Sequence, residues 1–351
     1  MKKSSITFII TALALTIALA FVVVTLRLIP SRLIPSKHLF TSSSHIYQKD
    51  RFLMGTLVTI SVVSDRETSA TAAMDRAFQV LQNIENQASR RIPTSLTSKI
   101  NRAAGLSDVP VSPDFLEIIK KAIEYSKLTQ GAFDITIGAV TDLYHFEDGE
   151  GILPDPQAIR QRLPLVGYQN IHIDEVHRAV GLTRSGALID LGGIAKGFGV
   201  NQAVKSLKAD GISAGIVNAG GDIRVFGYKP GHKLWNIGIQ HPRQSDKVIA
   251  SLEITDKSIV TSGDYERFFM KDNIRYHHIL DPKTGRPARG CQSVTIVSQT
   301  ATDAMSAGVF VLGPEKGMAL IESLPGIEGI IIDREGRALV SSGLRSMLVW
   351  R

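Results

Sequence analysis

Asp190-Leu191-Gly192-Gly193-Ile194-Ala195-Lys196-Gly197 joins an apolar stretch to the start of a helical pattern through two adjacent glycines. The glycines allow a sharp turn, and the helix start leaves backbone N–H groups unpaired, which is an anion-receiving arrangement. Lys196 falls in the first helical turn, where the helix dipole disfavours a cation unless an anion is near. Two readings stand on physics alone: a phosphate-binding turn, or a tight strand-to-helix connection with a solvated lysine. The glycine spacing fits neither a P-loop nor a dinucleotide fingerprint.

Outward from this turn, alternating segments mix with helical ones and no fixed repeat is visible, which predicts an α+β fold. Strands are expected at 57–63, 171–173, 187–191, 215–218, 237–240, 258–261, 276–280 and 293–297. Ala73, Ala77, Val80, Leu81 and Ile84 recur at helical spacing. A second helix opens at Ser112-Pro113-Asp114, with Ser112 as cap, Pro113 in the first position and Leu116, Ile119 and Ile123 facing inward. Further helices are expected after Gly193 and from 302 to 311, the last stopped by Gly313-Pro314.

The chain of 351 residues, 44% hydrophobic and 21% charged, can bury a sizeable core. Its formal charge of +7 is concentrated at one end: Lys2, Lys3, Arg27, Arg32, Lys37 and Lys49 are the only charged residues up to position 49. That distribution argues against a nucleic-acid-binding face. Residues 6–26 carry no charge and are mostly apolar, long enough to span a bilayer, so 1–26 reads as a signal or membrane anchor. Ala18-Leu19-Ala20 keeps a cleaved signal as the alternative. Residues 27–46 read as a tether and 47–351 as the folded body. The one cysteine, Cys291, precludes an internal disulfide and reads as a small buried residue.

Several motifs carry candidate chemistry. Asn218-Ala219-Gly220-Gly221-Asp222 is most simply a β-turn. Gly131-Ala132-Phe133-Asp134 follows the second helix, with Phe133 as a core residue or a stacking surface. His277 and His278 fall on opposite faces of one strand, so one must face inward. Asp303 starts an apolar helix, either to complement its dipole or as a hard oxygen ligand for Mg²⁺. Tyr144-His145-Phe146 reads as packing.

Taken in order, Met54-Gly55-Thr56, Gly131-Ala132-Phe133-Asp134, the Asp190–Gly197 turn, Asn218–Asp222, Thr261-Ser262-Gly263-Asp264, His278-Ile279-Leu280-Asp281-Pro282 and Ala301-Thr302-Asp303 resemble the ApbE family. The resemblance runs from about position 51 to the C-terminus. It implies an ApbE-like, T-fold-like α+β fold with mixed sheets and packed helices, and Mg²⁺-dependent transfer of FMN from FAD to a threonine of an acceptor flavoprotein, releasing AMP. The implied setting is the inner membrane, with the catalytic body facing the periplasm or cell exterior. The implied acceptors are flavoproteins such as Nqr- or Rnf-type subunits. By position, Met54, Ala132, Phe133, Asp134, Asp190, Lys196 and Leu280 would contact FAD, and Gly193, through its carbonyl, and Asp303 would hold the metal. His278 is the candidate for proton transfer. One departure stands out. The family places a threonine metal ligand four residues after the aspartate, where this chain has Ala307; Ser306 lies about 100° away around the helix. FAD binding or trafficking without transfer, and FAD pyrophosphatase activity, are the alternatives.

Overall fold

The computed structural model describes residues 44–146 and 151–351. Its main sheet has eight strands: β1 (His45–Leu53), β2 (Thr56–Ser64), β3 (Gly215–Ala219), β4 (Asp222–Phe226), β5 (Ser258–Gly263), β6 (Cys291–Ser298), β7 (Glu328–Asp333) and β8 (Ala338–Val340). Their order across the sheet is their order along the chain, and each neighbouring pair is antiparallel. Five helices build the covering layers: α1 (Glu67–Ala88), α2 (Pro113–Leu128), α3 (Ala195–Ala209), α4 (Asp303–Leu312) and α5 (Pro314–Ser323).

Two of the apolar clusters lie against this sheet. In the first, Val58, Ile60 and Val62 of β2 and Val217 of β3 meet Phe78 and Leu81 of α1 and Val200, Val204 and Leu207 of α3. In the second, Val294 and Ile296 of β6 and Ile331 of β7 meet Met305, Val309 and Phe310 of α4 and Ile321 of α5. The odd and even positions of β6 are alike buried, so this strand is covered on both faces. A third cluster joins α2 to residues 133–135 and to the turn that opens α3.

Most local expectations hold. The Ser112 hydroxyl accepts from the Phe115 N–H and Pro113 opens α2. Gln130 and Gly131 take φ of 54° and 80°, and the Gly131 N–H closes on the Ser126 carbonyl, ending that helix as a left-handed cap. Cys291 is buried, with its thiol pushed up to about 12 by burial and by Asp333.

Four expectations are corrected. Strand β1 precedes the expected first strand and begins at His45, inside the stretch read as tether. Its inward positions are disguised in the sequence: Lys49 and Arg51 reach across to Asp75 of α1, and the Arg51 guanidinium lies 4.7 Å from the centre of the Phe78 ring. Residues 187–191 form no ladder strand. The Asn101 side chain brackets both backbone groups of Ile189, and Leu188 makes only a bridge to Ile137. The strand expected at 276–280 is broken: Ile274–His277 pairs with Phe268–Lys271, and Leu280–Asp281 pairs separately with Arg286–Pro287. Finally, the mixed sheets are mixed only by that one parallel bridge; every ladder among the described residues is antiparallel, because hairpins and helical excursions return each strand beside its predecessor. The anchor at 1–26 and the tether up to residue 43 lie outside the described residues. No helix among the described residues is long and apolar enough to cross a membrane.

Phe78 is fully buried where α1, α3 and β2 meet. Phe78→Ala is expected to lower unfolding stability by about 3–5 kcal/mol, read from the urea midpoint at constant slope.

Candidate functional site

Gly192 and Gly193 turn the chain into α3, whose first residues are Ala195 and Lys196. The Lys196 ammonium does not extend into solvent; it donates to Asp222, the first residue of β4, whose side chain is 1% exposed. Burial works to lower the lysine pKa, but the charges of Asp222 and Asp303 outweigh it and hold the ammonium above its ordinary value. The solvated-lysine reading is therefore corrected. The first anion at this helix start is a carboxylate of the protein itself.

Asp303 opens α4 beside the same turn. Its Oδ2 accepts from the Gly197 N–H at 3.3 Å, and a Cβ on Gly197 would lie 2.7 Å from its Oδ1, so only glycine admits the carboxylate this close. Oδ1 is buried without a hydrogen-bond partner among the described residues. Burial and then the charge of Asp222, opposed by Lys196, raise the carboxyl to about 7. An unpaired buried carboxylate oxygen is costly, and a hard cation is a natural partner for it. The chemistry here thus fits Mg²⁺. No group of three or more His, Cys, Asp and Glu side chains poised to hold a metal occurs among the described residues, so backbone, phosphate and water oxygens would complete the shell.

Neither candidate at the next turn of α4 offers an unengaged side-chain oxygen. The Ser306 hydroxyl donates to the Asp303 carbonyl at 3.0 Å and lies 2.8 Å from the Ser262 hydroxyl of β5. Ala307 packs its methyl against the apolar cluster around α2.

The remaining expected contacts surround the turn unevenly. Phe133 is buried; a Cβ on Gly193 would meet its ring edge at 3.2 Å, and one on Gly308 of α4 would meet its Cβ at 3.2 Å, so this ring ties the turn to α4. Ala132, beside it, is buried. Met54, at φ 54° in the two-residue turn between β1 and β2, lies against Gly199 of α3. Asp190 accepts from the Gly192 N–H and pairs with Arg90 at 3.1 Å. Arg90 in turn lines a cavity of about 400 Å³ with Arg91, Asn101, Arg102 and Asp142, adding positive charge beside the glycine turn. A larger cavity of about 460 Å³, bounded by Met318, Leu339 and Arg345, holds none of the candidate residues.

Two expected contacts have other engagements. Asp134 accepts from the Thr136 N–H and hydroxyl and from the Tyr168 N–H, and burial raises its carboxyl against those bonds. Leu280 sits in a separate apolar cluster with Val140, Tyr144 and Ile159. Tyr144 stacks on Phe146, as the packing reading requires.

The histidines divide as the alternation predicts. His277 is buried, donates through Nε2 to the Ala288 carbonyl and accepts at Nδ1 from the Ile279 N–H. His278 donates through Nδ1 to the Arg267 carbonyl at 3.3 Å, which leaves Nε2 as a proton acceptor. Burial, Arg267 and His277 lower its pKa to about 3, and the charge of Lys196 contributes, so it is neutral at ordinary pH. Sequence reading missed Arg90 and Ser262 and gave Asp222 only a turn; the one signal was the position of Ser262 and Asp222 inside ordered motifs.

The ApbE family model matches residues 54–331, and the chain belongs to the ApbE family. The FAD:protein FMN transferase of Treponema pallidum (strain Nichols) is 33% identical over 316 residues, spanning 85% of this chain and 87% of that protein. The FAD:protein FMN transferase of Klebsiella pneumoniae (strain 342) is 32% identical over 308 residues, spanning 87% and 94%. Among solved structures, the ApbE protein of Thermotoga maritima matches with a TM-score of 0.81 at 34% identity, covering 86% of this chain and 99% of that one. The flavin transferase ApbE of Vibrio cholerae matches at 0.77 with 26% identity, covering 87% and 99%.

A cation at Asp303 would have to displace the proton held there below about pH 7, so Mn²⁺, used as a probe, is expected to bind about tenfold more tightly at about pH 8 than at about pH 6. Titration by electron paramagnetic resonance checks this, and Asp303→Asn should remove both the binding and its pH dependence.

Proposed function

We propose that this chain is an FAD:protein FMN transferase that uses Mg²⁺, carries FMN to a threonine of an acceptor flavoprotein and releases AMP. The observation that carries the reading is the meeting of two helix starts: Lys196 on α3 and the unpaired Oδ1 of Asp303 on α4, joined through Gly197. Paired helix N-termini with a lysine and a cation-ready carboxylate suit a pyrophosphate. The names of the relatives supply the flavin.

In this reading the Lys196 ammonium and the N–H groups of the glycine turn hold the pyrophosphate of FAD. Asp303 and the Gly193 carbonyl would hold Mg²⁺, which supplies charge neutralisation and Lewis-acid polarisation of phosphate oxygens. The acceptor threonine oxygen bonds to the FMN-side phosphorus as the bridging P–O bond breaks, and AMP departs with that bond's electron pair. The hydroxyl proton goes to His278 Nε2. With Nδ1 tied to the Arg267 carbonyl, His278 has a lone pair and no proton at Nε2, and because its pKa is lowered to about 3 it needs the negative charge of the substrate phosphates beside it to hold the proton it takes.

We place the catalytic body outside the cytoplasm, held to the inner membrane by residues 1–26, with Nqr- or Rnf-type subunits as acceptors. The uncharged run at 6–26 behind Lys2 and Lys3 supports this orientation. A nucleic-acid partner is not part of the reading. A second reading, flavin binding without transfer, is favoured by one observation: Ala307 and the engaged Ser306 give α4 no oxygen beyond Asp303.

Incubation with FAD, Mg²⁺ and an acceptor domain separates these. Transfer yields a covalent flavin adduct and AMP by mass spectrometry; pyrophosphatase activity yields free FMN and AMP; binding alone yields neither. Ala307→Thr, by adding an oxygen one turn beyond Asp303, is expected to tighten Mg²⁺ dependence about tenfold. Absence of adduct in both proteins across several acceptors would overturn the transferase reading.

A further inference from the structure

Asp222 holds Lys196, but the rest of the Asn218–Asp222 motif has no part in the chemistry above, and its geometry is demanding. Gly220 and Gly221 take φ of 59° and 96°, conformations that favour glycine, and the Gly221 N–H donates to the Asn218 side chain at 2.9 Å. A Cβ on Gly220 would lie 2.3 Å from the Thr56 hydroxyl, while its N–H reaches the Leu57 carbonyl at 3.2 Å. The turn is therefore pressed against the β1–β2 hairpin, beside the residue that follows Met54-Gly55. Across the turn, Ala219 pairs with Asp222 in the ladder, so the backbone of Asp222 is fixed against β3. The fixed carboxylate is buried under the start of α3, and its charged partner is Lys196.

A lone buried carboxylate is expensive, and a lysine in the first turn of a helix is opposed by the dipole. Each is accounted for by the other. An ammonium has three donors, so a hydrogen bond to Asp222 leaves two for another acceptor.

We propose that Asp222 is a positioning residue: the glycine turn delivers its carboxylate to anchor the Lys196 ammonium, aiming the remaining donors at the pyrophosphate of FAD. This rests on the reading of Lys196 as a phosphate contact. It gives the Asn-Ala-Gly-Gly-Asp turn a task beyond reversing the chain. Without Asp222, Lys196 loses the partner that fixes the direction of its ammonium.

A double-mutant cycle on the full chain in detergent tests this, with the wild type, Lys196→Met, Asp222→Asn and the double variant. Affinity is measured for FAD and for riboflavin, which lacks phosphate. With Asp222 in place, Lys196→Met is expected to weaken FAD about tenfold, the loss of one charge-assisted contact. With Asn at 222 the same change is expected to cost about twofold or less, and riboflavin affinity should stay constant throughout. An equal loss in both backgrounds overturns the proposal, as does parallel loss of riboflavin, which would mark a merely structural role. No effect of Lys196→Met on FAD in either background would instead remove the phosphate reading on which the proposal rests. If a single variant loses its cooperative thermal transition, Lys196→Arg and Asp222→Glu form the cycle in its place, with the same criteria.

Discussion

The interaction on which the rest depends is the ion pair between Lys196 and Asp222. It joins the first turn of α3 to the first residue of β4, and so welds helix layer to sheet at the end that carries the candidate site. Asp222 is buried and Lys196 is partly exposed, so it is loss of the lysine that leaves a charge in a poor medium, at a cost of about 3 kcal/mol. Asp303 feels both charges: Asp222 pushes its proton affinity up while Lys196 pulls it down. The protonation of Asp303, the placement of α3 and the position of the Lys196 ammonium are thus linked through one contact.

Around that contact the site is built mostly from close backbone approach. Gly197 admits the Asp303 carboxylate, Gly193 and Gly308 admit Phe133, and Gly199 admits Met54. Small residues let two helix starts and a hairpin tip converge. What bulk there is comes from Phe133, which belongs to the core and borders the turn at once. The shape of the glycine turn and the packing of the core are therefore inseparable at this residue.

Much of this was legible in the sequence because its signals are local. The Ser112 cap, the Gly131 stop, the start of α3 after two glycines and the opposed histidines are all written within a few residues. The parts that were not legible are long-range. Strand β1 hides its inward face behind Lys49 and Arg51, whose partner Asp75 lies on the following helix. The apolar run at 187–191 has strand composition, but Asn101, far back in the chain, takes its backbone bonds. Asp222 looked like a turn residue because nothing near it names its partner 26 positions earlier. The engagement of Ser306 by Ser262 is equally invisible to any local pattern.

The order of the main sheet carries a consequence for how the chain is made. Spatial order follows chain order, yet β2 meets its second neighbour only at β3, where Val58 pairs with Ala219. Until that distant segment has been synthesised, the apolar strand Thr56–Ser64 has an open hydrogen-bonding edge. Such a strand is a template for wrong pairing, and long-range antiparallel closure is slow. The nascent protein therefore has a vulnerable interval, set by the length of the excursion through α1, α2 and α3, in which a holding factor or prompt passage to its destination would matter more than final stability.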